Sequence, residues 1–210
     1  SAIQAGIYAR AYRLFDAGNN ISYLFSVILL PLFAAVIKKG EDLQALVKQS
    51  FGLMLTMTCI IAIVCIFYSQ NLMELLYTIQ DNESIETYNL RITESSNILK
   101  ILMGSFVSIS VTYIFGTLLT ANGNLKQLNI VAAVGVVINL TLNFLFIPVF
   151  EAKGAAMTSL CVQFATCAIQ FFIAKRIFNL KFGISFWISI LSFIILLVTT
   201  TSLLKSSDMY

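Results

Sequence analysis

Long apolar runs separated by short polar stretches dominate this chain. A helix that spans a bilayer needs about 20 consecutive, mostly apolar residues, and six segments meet that requirement. They cover residues 17–37, 49–73, 101–125, 127–150, 154–174 and 182–204, and none of them contains a charged side chain. The pattern predicts an all-α fold, a polytopic membrane bundle of six transmembrane helices that forms one domain over residues 1–210.

The first helix is predicted to be longer than its apolar run, because the helical pattern already begins at Gly6. A helix over residues 6–37 would be about 48 Å long at 1.5 Å per residue, against a hydrocarbon core of about 30 Å. We therefore expect either a tilted helix or first turns that stand in a water-filled vestibule. Pro31 removes one backbone hydrogen bond and crowds the preceding turn, so we expect a bend there and treat it as a candidate hinge.

Composition agrees with a membrane environment and excludes several functions. The chain is 59% hydrophobic and 11% charged, whereas soluble domains carry about 25% charged residues. Its net charge of +3 is small and scattered, which argues against nucleic acid as a partner. It has no histidine, and its four cysteines lie inside apolar runs at spacings that fit neither a metal site nor a redox motif. We expect no enzyme activity, no catalytic residue, no metal and no cofactor.

Basic residues indicate how the bundle is oriented, since they concentrate in short cytoplasmic loops. The first, third and fifth connections hold seven: Lys38, Lys39, Lys48, Lys126, Lys175, Arg176 and Lys181. The opposite side holds Arg91, Lys100, Lys153 and Lys205 with most of the acids, Glu74, Asp81, Glu83, Glu86, Glu94, Glu151 and Asp208. This predicts cytoplasmic odd-numbered loops and an outer, acidic 74–96 region without a recognisable motif. Residues 38–48 fit either a short interfacial helix or a solvated loop.

Three charged residues before the first apolar run are candidates for function. Arg10 and Arg13 lie three apart and Asp16 follows one turn later, so all three are predicted to share a helix face. Two guanidinium groups on one face suit a phosphate or diphosphate. The alternative is that they lie in the outer headgroup zone and extend towards water. Asn20 either continues this polar face inward or bonds a neighbouring helix.

Two further polar features lie inside the apolar runs. Asn139 and Asn143 are one turn apart, and a buried amide pair either holds helices together or lines a transport pathway. Gln163 belongs to a stripe of small and polar residues in the fifth span, and the third span has a similar stripe. The stripes are Ser159, Gln163, Thr166 and Gln170, and Ser105, Ser108, Thr112, Gly116 and Thr120. Such stripes usually mark helix–helix contacts.

Two stretches resemble bacterial polysaccharide and oligosaccharide-lipid flippases, members of a superfamily that also includes multidrug extrusion (MATE) transporters and lipid II flippases. They are GIYARAYRLFDAGNNISYLFSVILLPLFAAV and LLTANGNLKQLNIVAAVGVVINLTLNFLFIPVFEAKGAAMTSL. The matching positions in the second are Gly123, Lys126, Asn139, Asn143, Pro148, Gly154 and Ala155. The segments ANGNLKQ and NLTLNFLFIP favour the polysaccharide branch. The turn after Pro148 is longer and more polar than in that branch.

The resemblance implies a multi-pass protein of the bacterial cytoplasmic (inner) membrane that moves an undecaprenyl-diphosphate-linked oligosaccharide by alternating access. Two lobes would rock around a central cavity while the lipid tail stays in the bilayer. The chain would be most of the C-terminal lobe, so its expected partners are a missing N-terminal lobe, the lipid-linked oligosaccharide, the bilayer and a polysaccharide polymerase. The cavity would use Arg10, Arg13, Asp16, Asn20, Asn139, Asn143 and Gln163.

Two other functions compete with the flippase hypothesis. A MATE-type drug/cation antiporter needs an ionisable group deep in the bundle, and the spans hold no acid after Asp16. A non-transporting membrane scaffold would use the same polar residues only to join helices.

Overall fold

Six helices make up the described part of the chain. The computed structural model describes residues 2–80 and 83–207. The helices are α1 (Ala2–Lys39), α2 (Gln44–Phe67), α3 (Ser69–Leu76), α4 (Ile85–Ala121), α5 (Leu125–Ile177) and α6 (Ile184–Ser207). All except α3 are long and apolar enough to cross a membrane. The predicted all-α membrane bundle is therefore confirmed. Asp81 and Asp208, two of the acids assigned to the outer side, lie outside the described residues.

Helix α4 lies at the centre of the bundle and runs parallel to α1. The Ser22 and Ser110 hydroxyls are 2.7 Å apart, and the Ser95 hydroxyl donates to the Ile7 carbonyl at 3.3 Å. Both pairs are separated by 88 residues in sequence. The constant offset means that the two helices keep one register along their length. Each residue of α1 therefore lies beside the α4 residue whose number is 88 higher.

Helix α5 is two antiparallel helices joined by a tight turn. Glu151 has non-helical angles, φ 51° and ψ −127°. A Cβ on Gly135 would lie 3.0 Å from the Thr166 methyl group, although a straight helix would put these positions about 46 Å apart at 1.5 Å per residue. The chain must therefore fold back near Glu151. Gly154 makes the turn possible, because a side chain there would meet the backbone carbonyl of Phe146.

The remaining helices pack around α4 from the other side. Helix α2 runs antiparallel to it, with the Phe51 and Phe115 rings 5.3 Å apart. Helix α3 contacts α4 through the Ser96 and Ser69 hydroxyls at 2.8 Å. Helix α6 lies at the periphery against α2, and Lys205 Nζ donates to the Phe67 carbonyl at 2.6 Å. This bond satisfies a carbonyl that the end of α2 leaves without an intrahelical partner.

Three local predictions need correction. The second span was predicted to reach residue 73, but α2 ends at Phe67 and α3 begins after the non-helical Tyr68. The interfacial helix over residues 38–48 is wrong, because α1 continues to Lys39 and a four-residue turn leads into α2. Gly40 makes this turn possible with φ +68°, a conformation that glycine adopts without steric cost. The third helix begins at Ile85, well before the predicted start at residue 101.

The connections group the basic residues at one end of the bundle. The Gln44 side chain joins the α1–α2 turn to the α5–α6 connection, donating to the Lys181 carbonyl and accepting from its N–H, both at 2.9 Å. The α4–α5 connection lies at this same end, because α4 runs antiparallel to α2. The opposite end holds the α3–α4 connection and the α5 turn. We call these the basic end and the acidic end.

Candidate functional site

One face of α1 remains uncovered by the rest of the chain. Between Tyr12 and Asn20 this face carries exposed polar side chains, whereas beyond Asn20 it is apolar. The polar members are Tyr12, Arg13, Asp16 and Asn20, and the apolar members are Ile21, Leu24, Val27, Ile28 and Leu32. Opposite this face, Ile7, Ala11 and Phe15 are buried in the core. The helix thus holds its polar side chains away from α4.

The register with α4 sets the depth of these polar groups. An offset of 88 residues puts Arg13 level with Ile101, where the uncharged part of α4 begins. Asp16 and Asn20 then lie level with Gly104 and Ser108, inside the uncharged part of α4. A charged side chain at that depth is costly against lipid and normally faces a cavity or the inside of a bundle. The exposed polar part of α1 is therefore the candidate wall of a cavity.

Arg10 occupies a different environment from Arg13. Its guanidinium lies over the Tyr77 ring, 5.7 Å from the centroid, and the Tyr77 hydroxyl donates to the Arg10 carbonyl at 3.2 Å. Its Nη1 is buried without a hydrogen-bond partner among the described residues. Arg13, in contrast, is exposed. The two arginines were predicted to share one face. Arg10 is half-buried and turned towards Tyr77 at the end of α3, whereas Arg13 is exposed.

The structure contains a buried ion pair beside Arg10 that was not predicted from the sequence. Arg91 donates two hydrogen bonds to the Glu83 carboxylate, at 2.8 and 2.6 Å, and a third to the Thr78 carbonyl at 3.3 Å. The two side chains are only 8% and 10% exposed. Both residues fall in the acidic 74–96 region, which was predicted to lie on the outer side without a recognisable motif. The Ser84 N-cap followed by Glu86 is the signal that a helix begins there.

Hydrogen bonding controls the ionisation of Glu83. Burial would raise the pKa of its carboxyl, but the Gln80 backbone N–H and the Arg91 guanidinium outweigh that effect and hold the pKa below the ordinary value of 4.5. Glu83 therefore stays ionised at neutral pH. Tyr88 completes the network, since its hydroxyl donates to the Tyr77 carbonyl at 3.2 Å and its ring lies 5.4 Å from the Arg91 guanidinium.

The predicted amide pair is formed within one helix. Asn143 Nδ2 donates to Asn139 Oδ1 at 2.9 Å, and both side chains are half-buried. Asn20 also bonds locally, to the Asp16 carbonyl at 2.9 Å. Neither bond links two helices, which leaves the second oxygen lone pairs and the outer amide hydrogens of these side chains available.

The polar stripes of the third and fifth predicted spans form a helix–helix contact. A Cβ on Gly116 would lie 3.0 Å from Gln170 Oε1, and one on Gly104 would lie 3.0 Å from a Leu160 methyl group. The small residues of α4 thus allow the second half of α5 to approach closely. The interpretation of these stripes as helix contacts is confirmed. Gln163, in the same part of α5, is half-buried.

Comparison with known proteins identifies the family of this chain. Within the described residues, no group of His, Cys, Asp or Glu side chains could hold a metal ion. No curated protein matches the chain. Residues 6–208 match the family described as Lipid II flippase MurJ. This is the lipid II branch of the superfamily named above rather than the polysaccharide branch that the motifs favour. Its members are flippases rather than enzymes, as expected for this chain. The match covers nearly the whole sequence, and the chain therefore belongs to the MurJ lipid II flippase family.

Proposed function

We propose that this chain is one lobe of a flippase that carries a lipid-linked, diphosphate-bearing cell-wall precursor across the bacterial cytoplasmic membrane. The family match supports lipid II as the cargo. The polar, uncovered face of α1 is the observation that carries the proposal, because it exposes a cation and polar groups level with the uncharged part of α4. A second lobe, the N-terminal lobe, would supply the opposite cavity wall.

Each part of the α1 face has a role in this proposal. Arg13 binds the diphosphate through its planar fork of donors, which matches phosphate geometry. Tyr12, 41% exposed and stacked on Tyr8 at 5.7 Å, offers a ring face to a sugar. Asp16 and Asn20 bond hydroxyl or amide groups of the headgroup. Asn139, Asn143 and Gln163 extend the polar wall on α5, while the lipid tail remains in the bilayer.

Transport would follow alternating access, in which two lobes move against each other around a central site. The α1–α4 pair provides a stiff support, because it keeps one register over its whole length. Pro31 lies on the exposed side of α1 near the basic end. The backbone bond that it lacks makes that position the easiest place for α1 to bend.

A second cargo is favoured by the segments ANGNLKQ and NLTLNFLFIP. That cargo is an undecaprenyl-diphosphate-linked oligosaccharide repeat unit, with a polysaccharide polymerase as the partner that consumes it. Both cargoes share the diphosphate, so the role of Arg13 is the same for either. They differ in the sugars and peptide that the remaining polar groups would contact.

The test is a flipping assay with the full-length protein in vesicles, using fluorescent lipid II and a lipid-linked oligosaccharide in separate runs. We expect Arg13→Ala to slow flipping about 10- to 100-fold, the loss of a charge-assisted hydrogen bond of about 1.5–3 kcal/mol, and Arg13→Lys to slow it less. Lys126→Ala removes one exposed charge at the basic end and serves as the matched control. An Arg13→Ala protein that inserts normally and flips both cargoes at the full rate contradicts the proposal.

A further inference from the structure

The connection between α5 and α6 forms a basic pocket that the transport proposal does not use. The pocket has a volume of about 520 Å³ and is lined by Phe172, Lys175, Arg176, Asn179, Leu180 and Lys181. Three of these six residues are cations and none is an acid. Among the described residues, none of the three cations forms an ion pair. The pocket therefore offers three uncompensated positive charges to a ligand.

The backbone around the pocket is held in place independently of any ligand. The Gln44 amide fixes Lys181 through its two hydrogen bonds of 2.9 Å. Leu180 is 2% exposed and anchors the connection in the core, and Asn179 makes the turn with φ 51°. A preorganised site loses less entropy on binding than a mobile loop does. The three cations thus project from a fixed frame.

Two of the last carbonyls of α5 already accept backbone N–H groups. The Phe178 N–H donates to the Ala174 carbonyl at 3.0 Å, and the Leu180 N–H donates to the Lys175 carbonyl at 3.1 Å. Nearby acids are also engaged elsewhere. Asp42 accepts the Gln44 N–H at 2.9 Å, and Glu41 lies 3.6 Å from Lys39. The cations of the pocket consequently keep their charge available.

The order of groups along α5 matches the cross-section of a lipid leaflet. Phe172 is 64% exposed and lies one turn before Lys175 and Arg176, about 5 Å closer to the bilayer centre. An aromatic ring at that level contacts acyl chains and the glycerol region, while the cations reach the phosphates. Basic pockets between membrane helices on the cytoplasmic side bind anionic lipid headgroups. This pocket lies at the basic end, which the positive-inside rule places in the cytoplasm.

We propose that this pocket binds the headgroup of one anionic phospholipid from the inner leaflet. Arg176, Lys175 and Lys181 surround the phosphate, and Phe172 packs along the upper acyl chains. Zwitterionic lipid carries its own cation and loses the charge complementarity. The lipid would contact the end of α5 and the α5–α6 connection at the membrane surface. The inference does not depend on which cargo the protein carries.

The experiment counts lipids retained by the full-length protein after detergent purification, by native mass spectrometry, in the presence of phosphatidylglycerol or phosphatidylethanolamine. We expect the unsubstituted protein to retain phosphatidylglycerol. The triple variant Lys175→Gln, Arg176→Gln, Lys181→Gln should retain it at least about tenfold more weakly, since each cation contributes to the attraction. The matched variant Lys38→Gln, Lys39→Gln, Lys126→Gln removes the same charge from the same end and should retain the lipid. Gln44→Leu changes no charge and should weaken retention by releasing Lys181.

Three results would overturn the proposal. One is equal retention of the two lipids by the unsubstituted protein. Another is an equal loss in both triple variants, which would reduce the effect to the general charge of this end. The third is displacement of the lipid by millimolar inorganic phosphate, which would make free phosphate the ligand. If the triple variant does not fold, the single variants Lys175→Gln and Arg176→Gln, both at exposed positions, take its place.

Discussion

Arg91 and Glu83 form a two-point ion pair across the start of α4, with Arg91 Nε 2.8 Å from Glu83 Oε1 and Nη2 2.6 Å from Oε2. The pair holds the α3–α4 connection against the end of α4, and Tyr88 and Tyr77 extend the network to Arg10. The acidic end of α1 is thereby fixed to the rest of the bundle. Arg10 belongs to this structural network, and Arg13 is left as the exposed cation.

The ion pair predicts a pH-dependent stability. Because the pKa of Glu83 is below 4.5 in the folded protein, its contribution is complete above that pH and is lost as the pH falls through the lowered value. Glu83→Gln should lower the melting temperature by a few degrees at pH 7. The difference from the unsubstituted protein should shrink below about pH 4.5. A constant difference from pH 7 to pH 3, measured by thermal unfolding in detergent, would contradict this role.

The turn inside α5 depends on Gly154. A Cβ there would meet the backbone carbonyl of Phe146, which cannot move aside as a side-chain end can. We expect Gly154→Ala to cost about 1–3 kcal/mol of stability, the usual range for overpacking. Gly6→Ala is the matched control, because a Cβ at Gly6 has nothing within 4 Å and the helix gains up to about 1 kcal/mol. Equal melting temperatures for the two variants would rule out the close contact.

The asparagine pair is suited to a double-mutant cycle. Asn139→Leu, Asn143→Leu and the double variant should show a coupling of about 0.6 kcal/mol in unfolding free energy, typical of hydrogen bonds inside membranes. The coupling arises because each single variant leaves the other amide without its 2.9 Å partner. Strictly additive effects would mean that the two side chains bond other groups instead.

Pro31 is predicted to lower the stability of α1 and to let the helix bend during transport. Helix α1 continues through Pro31 to Lys39, so alanine at this position restores the missing backbone bond. Pro31→Ala should raise stability by up to about 3 kcal/mol and slow the flipping cycle if the bend is used in transport. A variant that is more stable and flips at an unchanged rate would remove Pro31 from the mechanism.

Orientation can be read with a membrane-impermeant thiol reagent in intact cells. Asn89→Cys lies at the acidic end and should react from outside, whereas Lys126→Cys lies at the basic end and should react only after permeabilisation. Both positions are exposed. The unsubstituted protein gives the background, because Cys161 is itself exposed. The reverse labelling pattern would invert the assignment and place the phospholipid pocket in the outer leaflet.

Helix periodicity in the sequence predicted the long helices and the small-residue stripe. Features that depend on contacts between distant parts of the chain were not predicted. The apolar runs on both sides of Glu151 and the small-residue stripe on α4 could be read directly, because each follows from the spacing along one helix. The burial of Arg91 could not, since a charged residue in a polar stretch reads as exposed until its partner is known. Tyr68 is a similar case, because nothing in its neighbours indicates the break between α2 and α3.

The same limit applies to the site. The spacing of Arg10 and Arg13 predicted a shared helix face, but periodicity alone could not show that the Arg10 guanidinium packs over the Tyr77 ring while Arg13 stays exposed. The asparagine pair was identified by its one-turn spacing. The two amides bond each other within α5 rather than a group on another helix. Spacing along α5 cannot predict this, because it depends on the distance to the neighbouring helices.

The tight turn at Glu151 also bears on how the protein enters the membrane. Only Glu151, Ala152 and Lys153 separate the two apolar halves of α5, and Gly154 already packs against Phe146. With so short a connection, the start of the second half stays at the level of the headgroups while only the first half is inserted. We therefore expect the two halves to insert into the bilayer as one helical hairpin that carries Glu151 and Lys153 together.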